Sequence, residues 1–170
     1  MDKKAFTKNC LATALIELLE VKEYSDISIQ DIVDKAGFSR MAYYRNFRNT
    51  DEILDYYLST HTETFLKSGH IDLATLGIRG YFDAIFEKIS NEGAKKFIQL
   101  LFNRGLIIYL YKAFITYIYP EMDEEKTYYS RFIAGGVFSI CMRWLKMGCK
   151  ETPKELTGIV MKFLPDTMKA

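Results

Sequence analysis

The stretch from Ser28 to Phe47 constrains the fold more than any other because it holds start and stop signals for two short helices. Ser28 is followed three residues later by Asp31, an arrangement that caps a helix, and apolar residues then recur at helical spacing. Gly37 can adopt the left-handed backbone that ends a helix, and Ser39 can cap another helix soon afterwards. The pattern predicts a helix, a tight turn and a second helix.

Two short helices joined by a glycine turn are typical of the helix-turn-helix motif, whose second helix enters the major groove of DNA. From Ser39 to Thr50 the charged residues are Arg40, Arg45 and Arg48, with no acid among them. The chain carries 23 basic and 22 acidic residues, so any DNA contact must be concentrated on one face. The alternative is a plain pair of core helices joined by a glycine corner.

The second helix is predicted to run to about Phe47, with Tyr43 and Phe47 facing inward one turn apart. Arginine can pair with guanine edges, and a small methyl-bearing side chain can lie against a thymine methyl group. The residues predicted to contact DNA, including the helix caps beside the groove, are Ser28, Ser39, Arg40, Met41, Ala42, Tyr44, Arg45, Arg48, Asn49 and Thr50.

These residues divide into two predicted roles. Arg40, Met41 and Ala42 are expected to select bases, whereas Tyr44 and Arg48 are better suited to phosphate oxygens. Asn49 pairs with an acid three residues later in a second capping pattern, and this predicts a long helix from Thr50 to about Lys67.

The chain as a whole is predicted to be all-α because it has three prolines and nearly continuous helical periodicity. We expect a helix-turn-helix domain over residues 1–49 and a second helical domain over residues 50–170. A first helix from about Lys4 to Leu19 is predicted to bury an apolar stripe that includes Phe6. The segment from Leu73 to Ile89 is apolar over much of its circumference and is predicted to be centrally buried.

Cysteine usage and hydropathy favour a soluble, cytoplasmic protein. Cys10, Cys141 and Cys149 are widely spaced without a Cys-x-x-Cys pair, so we expect buried thiols and no disulfide framework or zinc site. The N-terminus lacks the apolar run of a signal peptide. The most hydrophobic region, Phe97 to Tyr119, is too polar to span a bilayer.

The C-terminal region carries a pattern that indicates close helix packing. Gly135 and Gly136 fall in the middle of a predicted helix from Asp123 to Met147, where each glycine costs about 1 kcal/mol relative to alanine. Close approach of another helix would offset that cost. Thr152 and Pro153 open a final amphipathic helix. An intramolecular hairpin of these two helices is the alternative to an interface between subunits.

An ordered set of positions in the first third of the chain is Ser28, Ile32, Ala36-Gly37-Phe38-Ser39, Tyr44, Phe47 and Asp51-Glu52-Ile53-Leu54. Through these positions, residues 4–57 resemble the DNA-binding domain of the TetR family of bacterial transcriptional regulators. Two departures from the family pattern concern DNA contact. Thr50 stands where the family commonly has a phosphate-binding lysine, and Met41-Ala42 replaces the usual Gly-Thr, so base preference cannot be carried over.

The resemblance implies a fold of about nine helices, in which the second domain binds an effector and pairs with a second subunit through its last two helices. The dimer interface is then expected to include Phe132, Gly135, Gly136, Ile140, Arg143, Trp144, Ile159, Val160 and Phe163. The middle of the chain is rich in aromatic residues, which could line a pocket for a planar or lipophilic effector or simply fill the core. The predicted pocket residues are His61, Phe65, Phe82, Phe86, Phe102, Tyr109 and Tyr117.

The resemblance implies a DNA-binding transcriptional regulator, expected to be a repressor that binds a palindromic operator as a homodimer. A small-molecule effector would release it. The alternative is a TetR-fold protein with weakened DNA binding that acts through protein partners. The sequence contains no serine-centred glycine elbow, phosphate-binding glycine loop or metal-ligand cluster, so we expect no enzyme activity, cofactor or metal.

Overall fold

A computed structural model describes residues 2–118 and 127–164. Within these ranges all regular elements are helical, which confirms the predicted all-α class. The helices are α1 (Lys3–Leu19), a 3-10 turn (Tyr24–Asp26), α2 (Ile29–Ala36), α3 (Arg40–Asn46), α4 (Thr50–Ser68), α5 (Leu73–Ile89), α6 (Glu92–Asn103), α7 (Ile107–Ala113), a π-helical turn (Phe114–Ile118), α8 (Thr127–Lys146) and α9 (Pro153–Phe163).

The chain divides into two compact units, whose borders fall inside α4, inside α6 and between α7 and the π-helical turn. The first unit comprises residues 1–62 and 100–113, and the second comprises residues 63–99 and 114–170. The boundary predicted between residues 49 and 50 separates a helix-turn-helix domain from a domain for effector binding and dimerisation. That functional division stays a prediction.

In the first unit α1, α2 and α3 pack against one another around a core of aliphatic side chains. Leu11, Leu15 and Leu19 of α1 are fully buried, together with Ile32 of α2. The prediction that Phe6 belongs to this stripe is wrong, because its side chain is 47% exposed. The buried part of α1 begins at Leu11, so the first two turns of the helix lie outside the core.

Within the first unit, Arg104 just after α6 and Lys112 of α7 make polar contacts with the earlier part of the chain. Arg104 Nε donates a hydrogen bond of 2.7 Å to the carbonyl oxygen of Leu19, at the end of α1. A cation at this position also complements the negative end of the helix dipole. The guanidinium forms an ion pair with Glu23, and Lys112 Nζ lies 2.5 Å from a carboxylate oxygen of Asp55.

The second unit is built around aromatic side chains, with α5 and α8 both packing on α9. Phe82 and Phe86 stack with ring centroids 5.7 Å apart, and the Trp144 ring lies 6.0 Å from that of Phe86. The prediction of a buried helix from Leu73 onward is correct only from Tyr81. Gly77 has a φ of 63° and a ψ of 169°, which breaks α5 and leaves its first turn exposed.

The long C-terminal helix is predicted to start at Asp123, which lies outside the residues that the structure describes. The observed helix, α8, is described from Thr127 onward. No helix in the described ranges is long and apolar enough to cross a membrane.

Candidate functional site

The helix-turn-helix forms through local hydrogen bonds that the sequence predicts. The Ser28 hydroxyl accepts a hydrogen bond from the Asp31 backbone N–H at 3.1 Å, and the Asp31 carboxylate accepts one from the Ser28 N–H at 2.8 Å. Hydrogen bonds from Lys22 and from Ser28 hold the pKa of Asp31 well below its usual range. Gly37 then ends α2 with a φ of 72°, a conformation that favours glycine.

The recognition helix α3 is oriented by its buried side. The Ser39 hydroxyl caps it by accepting a hydrogen bond from the Ala42 N–H at 3.2 Å. Tyr43 is fully buried and Phe47 is 3% exposed, so the prediction that both face inward is confirmed. Burial raises the pKa of the Tyr43 phenol. These contacts fix which side of α3 is left for a ligand.

The outer side of α3 presents polar, cationic and flexible side chains together. Met41 is 63% exposed and Tyr44 is 60% exposed, while Ala42 between them is half-buried. Arg40 and Arg45 are exposed. An exposed surface with arginines and no acid on the same helix suits the phosphate-lined major groove.

The start of α4 continues this surface. Asn49 Oδ1 accepts a hydrogen bond of 2.9 Å from the Glu52 N–H, and Glu52 accepts one of 2.8 Å from the Arg48 N–H, so the predicted cap is confirmed. The Arg48 side chain is 90% exposed. Its Nε lies 3.9 Å from the Glu52 carboxylate, too far for a hydrogen bond, so the guanidinium can reach a phosphate. Thr50 is half-buried at the first position of α4.

Sequence reasoning missed Gln30, whose side chain contacts the recognition helix. Gln30 Oε1 accepts a hydrogen bond of 2.7 Å from Arg40 Nε across the turn. No motif marks this contact, because a glutamine ten residues away has no fixed relation to an arginine until the two helices pack.

The residues of the predicted effector pocket are divided between the two compact units. Phe82 and Phe86 lie in the core of the second unit, each 1% exposed, and the half-buried Phe65 packs beneath the Lys88 ammonium at 5.0 Å. In the first unit His61 is exposed and stacks on Tyr57, Phe102 is 44% exposed, and Tyr109 hydrogen-bonds Asp51. The side chain of Tyr117 lies outside the described residues. The pocket stays a prediction, and core packing accounts for Phe82 and Phe86.

The predicted dimer residues fall into exposed, half-buried and buried groups. Phe132 is 77% exposed, Phe163 is 70% exposed, and Gly136 and Arg143 are also exposed. Gly135, Ile140 and Ile159 are half-buried. Trp144 and Val160 are 2% and 0% exposed within one chain, so the expectation that they face a partner is wrong. Trp144 packs inward because its ring meets Phe86 and its indole N–H donates to the Glu151 carbonyl.

Cysteine and acidic residues in the described ranges offer no metal site. No group of three or more histidine, cysteine or acidic side chains is arranged to hold an ion there. Cys10, Cys141 and Cys149 are free thiols, and burial raises the pKa of Cys141 to about 12. Only Cys141 is fully buried, whereas Cys10 and Cys149 are half-buried.

A capped helix-turn-helix followed by a second helical unit is an arrangement typical of transcriptional regulators. Residues 78–166, just over half of the chain, match the family model described as a transcriptional regulator C-terminal region of the TetR type. The chain belongs to the TetR family of transcriptional regulators.

The fold is shared with a solved structure, the dihydroxyacetone kinase operon activator DhaS. The two chains are 19% identical, with a TM-score of 0.55 over 96% of each chain. A search of curated proteins found no match.

Proposed function

We propose that the chain is a repressor that binds a palindromic operator as a homodimer and leaves the operator when a small molecule binds its helical core. The observation that carries the proposal is the outer side of α3, where exposed Arg40, Met41, Tyr44 and Arg45 surround the half-buried Ala42. Helix caps on both sides hold this surface in place.

Two kinds of DNA contact are proposed for this surface. Arg40, Met41 and Ala42 stand at the start of α3, the part of a recognition helix that meets base edges. Tyr44 and Arg48 reach phosphate oxygens and fix the register without reading sequence. The Arg45 guanidinium adds positive potential on the same side.

Dimerisation is proposed through the outer face of α8. Tyr128 and Phe132 are 90% and 77% exposed, and they recur at a spacing of four residues with the exposed Gly136. Apart from its chain neighbours and the backbone of its own helix, a Cβ added at Gly136 would meet no atom of the chain within 4 Å, so packing within the chain does not require a glycine there. A glycine at this position leaves room for a helix of a second subunit. The exposed Phe163 of α9 would enlarge this interface toward the roughly 800 Å² per partner of a stable complex.

Effector binding is proposed in the second unit, near the aromatic core. Asp83 follows Phe82 in the sequence of α5, and its Oδ1 is buried without a hydrogen-bond partner among the described residues. A buried acceptor without a donor is costly, and a ligand N–H or O–H group would satisfy it. The proposed effector is therefore an aromatic or lipophilic molecule with a hydrogen-bond donor.

Repression is proposed as the direction of control because occupancy of an operator alone can exclude the polymerase. DhaS, which shares the fold, is described as an operon activator, so the direction must be measured. A reporter gene downstream of the bound site gives the answer. Its expression should rise when this chain is deleted, and a fall on deletion would identify an activator.

The DNA-binding proposal is tested by selecting duplexes from a random library with the purified full-length chain. We expect an enriched inverted repeat whose half-sites are spaced by about one or more helical turns. Arg45→Ala should weaken binding to the selected duplex, whereas Arg79→Ala, at an exposed arginine of α5, should not. If no sequence is enriched, the alternative of a TetR-fold protein acting through protein partners replaces this proposal.

A further inference from the structure

The side chain of Arg40, the first residue of the recognition helix, is held by a residue of the preceding helix. Its Nε donates a hydrogen bond of 2.7 Å to Oε1 of Gln30 in α2. Both residues are exposed, so this contact is made on the surface that is proposed to meet DNA. The Arg40 side chain is therefore tied to α2 by a hydrogen bond.

A third residue determines which way the Gln30 amide points. Gln30 Nε2 donates a hydrogen bond of 2.7 Å to Oδ1 of Asp34, one helical turn further along α2. An ionised carboxylate can only accept hydrogen bonds, so it must face the amide nitrogen of Gln30. The amide oxygen is then turned toward Arg40. Asp34, Gln30 and Arg40 form a directional chain.

This chain decides which part of the guanidinium remains available. With Nε occupied, the two terminal nitrogens of Arg40 are left as a pair of donors at the end of the side chain. Guanine presents two acceptors, O6 and N7, which a pair of arginine N–H donors can bind together. A guanidinium that is already oriented also loses less side-chain freedom when it binds.

We propose that Gln30 and Asp34 are positioning residues that orient Arg40 to read a guanine in each half-site. The proposal rests on the proposed function as a DNA-binding regulator. It places part of the base specificity in α2, a helix that need not touch the base itself.

Two variants separate this role from a general role in folding. Gln30→Met removes the acceptor while keeping an unbranched side chain of similar length with good helix propensity. The double variant Gln30→Glu with Asp34→Asn restores an acceptor for Arg40 and a donor next to it without changing the net charge. Gln99→Met, at an exposed glutamine of α6, controls for the substitution itself.

The experiment uses the duplex that wild-type protein selects from a random library and its single-base variants. Fluorescence anisotropy at fixed salt measures the affinity of wild-type protein and of Arg40→Ala for each of these duplexes. The guanine read by Arg40 is the one whose replacement lowers the affinity of wild-type protein on the order of tenfold or more and lowers the affinity of Arg40→Ala little. At this guanine, Gln30→Met should lose most of the discrimination and the double variant should regain it. Affinity for an unrelated duplex should be the same in wild type, Gln30→Met and the double variant, and circular dichroism should show that each of them is folded.

Three results would overturn the proposal. Gln30→Met could discriminate against replacement of the guanine as well as wild type does, which is the result expected of Gln99→Met. The hydrogen bond between Gln30 and Arg40 would then have no role in base recognition. The double variant could fail to restore the discrimination although it folds. Arg40→Ala could bind the enriched palindrome with every base preference unchanged. That result would contradict this proposal without contradicting the proposed function. If wild-type protein enriches no sequence, the proposed function fails first.

Discussion

The phenol of Tyr109 donates a hydrogen bond of 2.7 Å to the carboxylate of Asp51, which stands 58 residues earlier in the chain. The same carboxylate oxygen accepts a hydrogen bond of 2.5 Å from Tyr24. Asp51 is the second residue of α4 and directly follows Thr50, at the edge of the proposed DNA surface. Tyr109 therefore links α7 to the start of the helix that follows the recognition helix.

Removing the Tyr109 hydroxyl should weaken this link measurably. Tyr109→Phe keeps the ring but leaves Asp51 with one phenol donor, and we expect a loss of about 1 kcal/mol in the free energy of unfolding. Urea denaturation at pH 7 measures the change. Tyr44→Phe, in the same unit but on a side chain that is 60% exposed, should change stability by less than about 0.5 kcal/mol. Equal effects of the two substitutions would contradict the structural role of the Tyr109 hydroxyl.

The same hydrogen bond predicts a dependence of stability on alkaline pH. Burial and the hydrogen bond to Asp51 raise the pKa of Tyr109 to about 12, above the value of about 10 in an unfolded chain. A group whose pKa is raised on folding stabilises the protein fully below the unfolded pKa, and this contribution is lost as the pH rises toward 12.

The stability difference between wild type and Tyr109→Phe should therefore be constant up to about pH 9 and shrink between pH 10 and 12. Urea denaturation at several pH values measures it, and the variant itself corrects for the other tyrosines and lysines that titrate in this range. A difference that grows above pH 10 would show that the sign of the effect is wrong.

Arg48 should contribute to affinity without contributing to sequence preference. Its side chain is 90% exposed and positioned just before α4, so Arg48→Ala should weaken binding to selected and unrelated duplexes by similar factors. The slope of log affinity against log salt concentration should fall by about 1 in magnitude. Anisotropy titrations at several salt concentrations measure the slope. An unchanged slope, as expected for Arg79→Ala, would exclude a phosphate contact.

The outer face of α8 should control the oligomeric state. Phe132→Ser replaces an aromatic side chain that is 77% exposed in one chain, and we expect it to shift the protein toward the monomer. Sedimentation velocity over a range of concentrations measures the change. Ile108→Ser, at an aliphatic side chain of α7 that is 63% exposed, is the matched control and should not shift the equilibrium. A Phe132→Ser variant that dimerises like wild type would place the interface elsewhere.

Local signals predicted the parts of the fold that depend on neighbouring residues. Helix caps at Ser28, Ser39 and Asn49 form as expected because each involves residues three positions apart. The inward orientation of Tyr43 and Phe47 follows from helical spacing alone. The exposed side of α3 follows in turn.

Contacts between distant helices could not be predicted in this way. The choice of Gln30 as the acceptor for Arg40 depends on how α2 and α3 pack. Trp144 has the size and polarity of an interface residue, and only the position of Phe86 and Glu151 shows that it faces inward. The break at Gly77 was missed because a glycine in an apolar run does not reveal its backbone angles.

Comparing the affinities of full-site and half-site duplexes tests the central claim most directly, because palindrome binding requires both α3 and the dimer. Full-length protein is titrated by anisotropy against the selected palindrome and against a duplex of equal length with one half-site scrambled. We predict that the intact palindrome binds at least on the order of a hundredfold more tightly, and that Phe132→Ser reduces this ratio toward 1. Equal affinity of wild-type protein for the two duplexes would contradict the account.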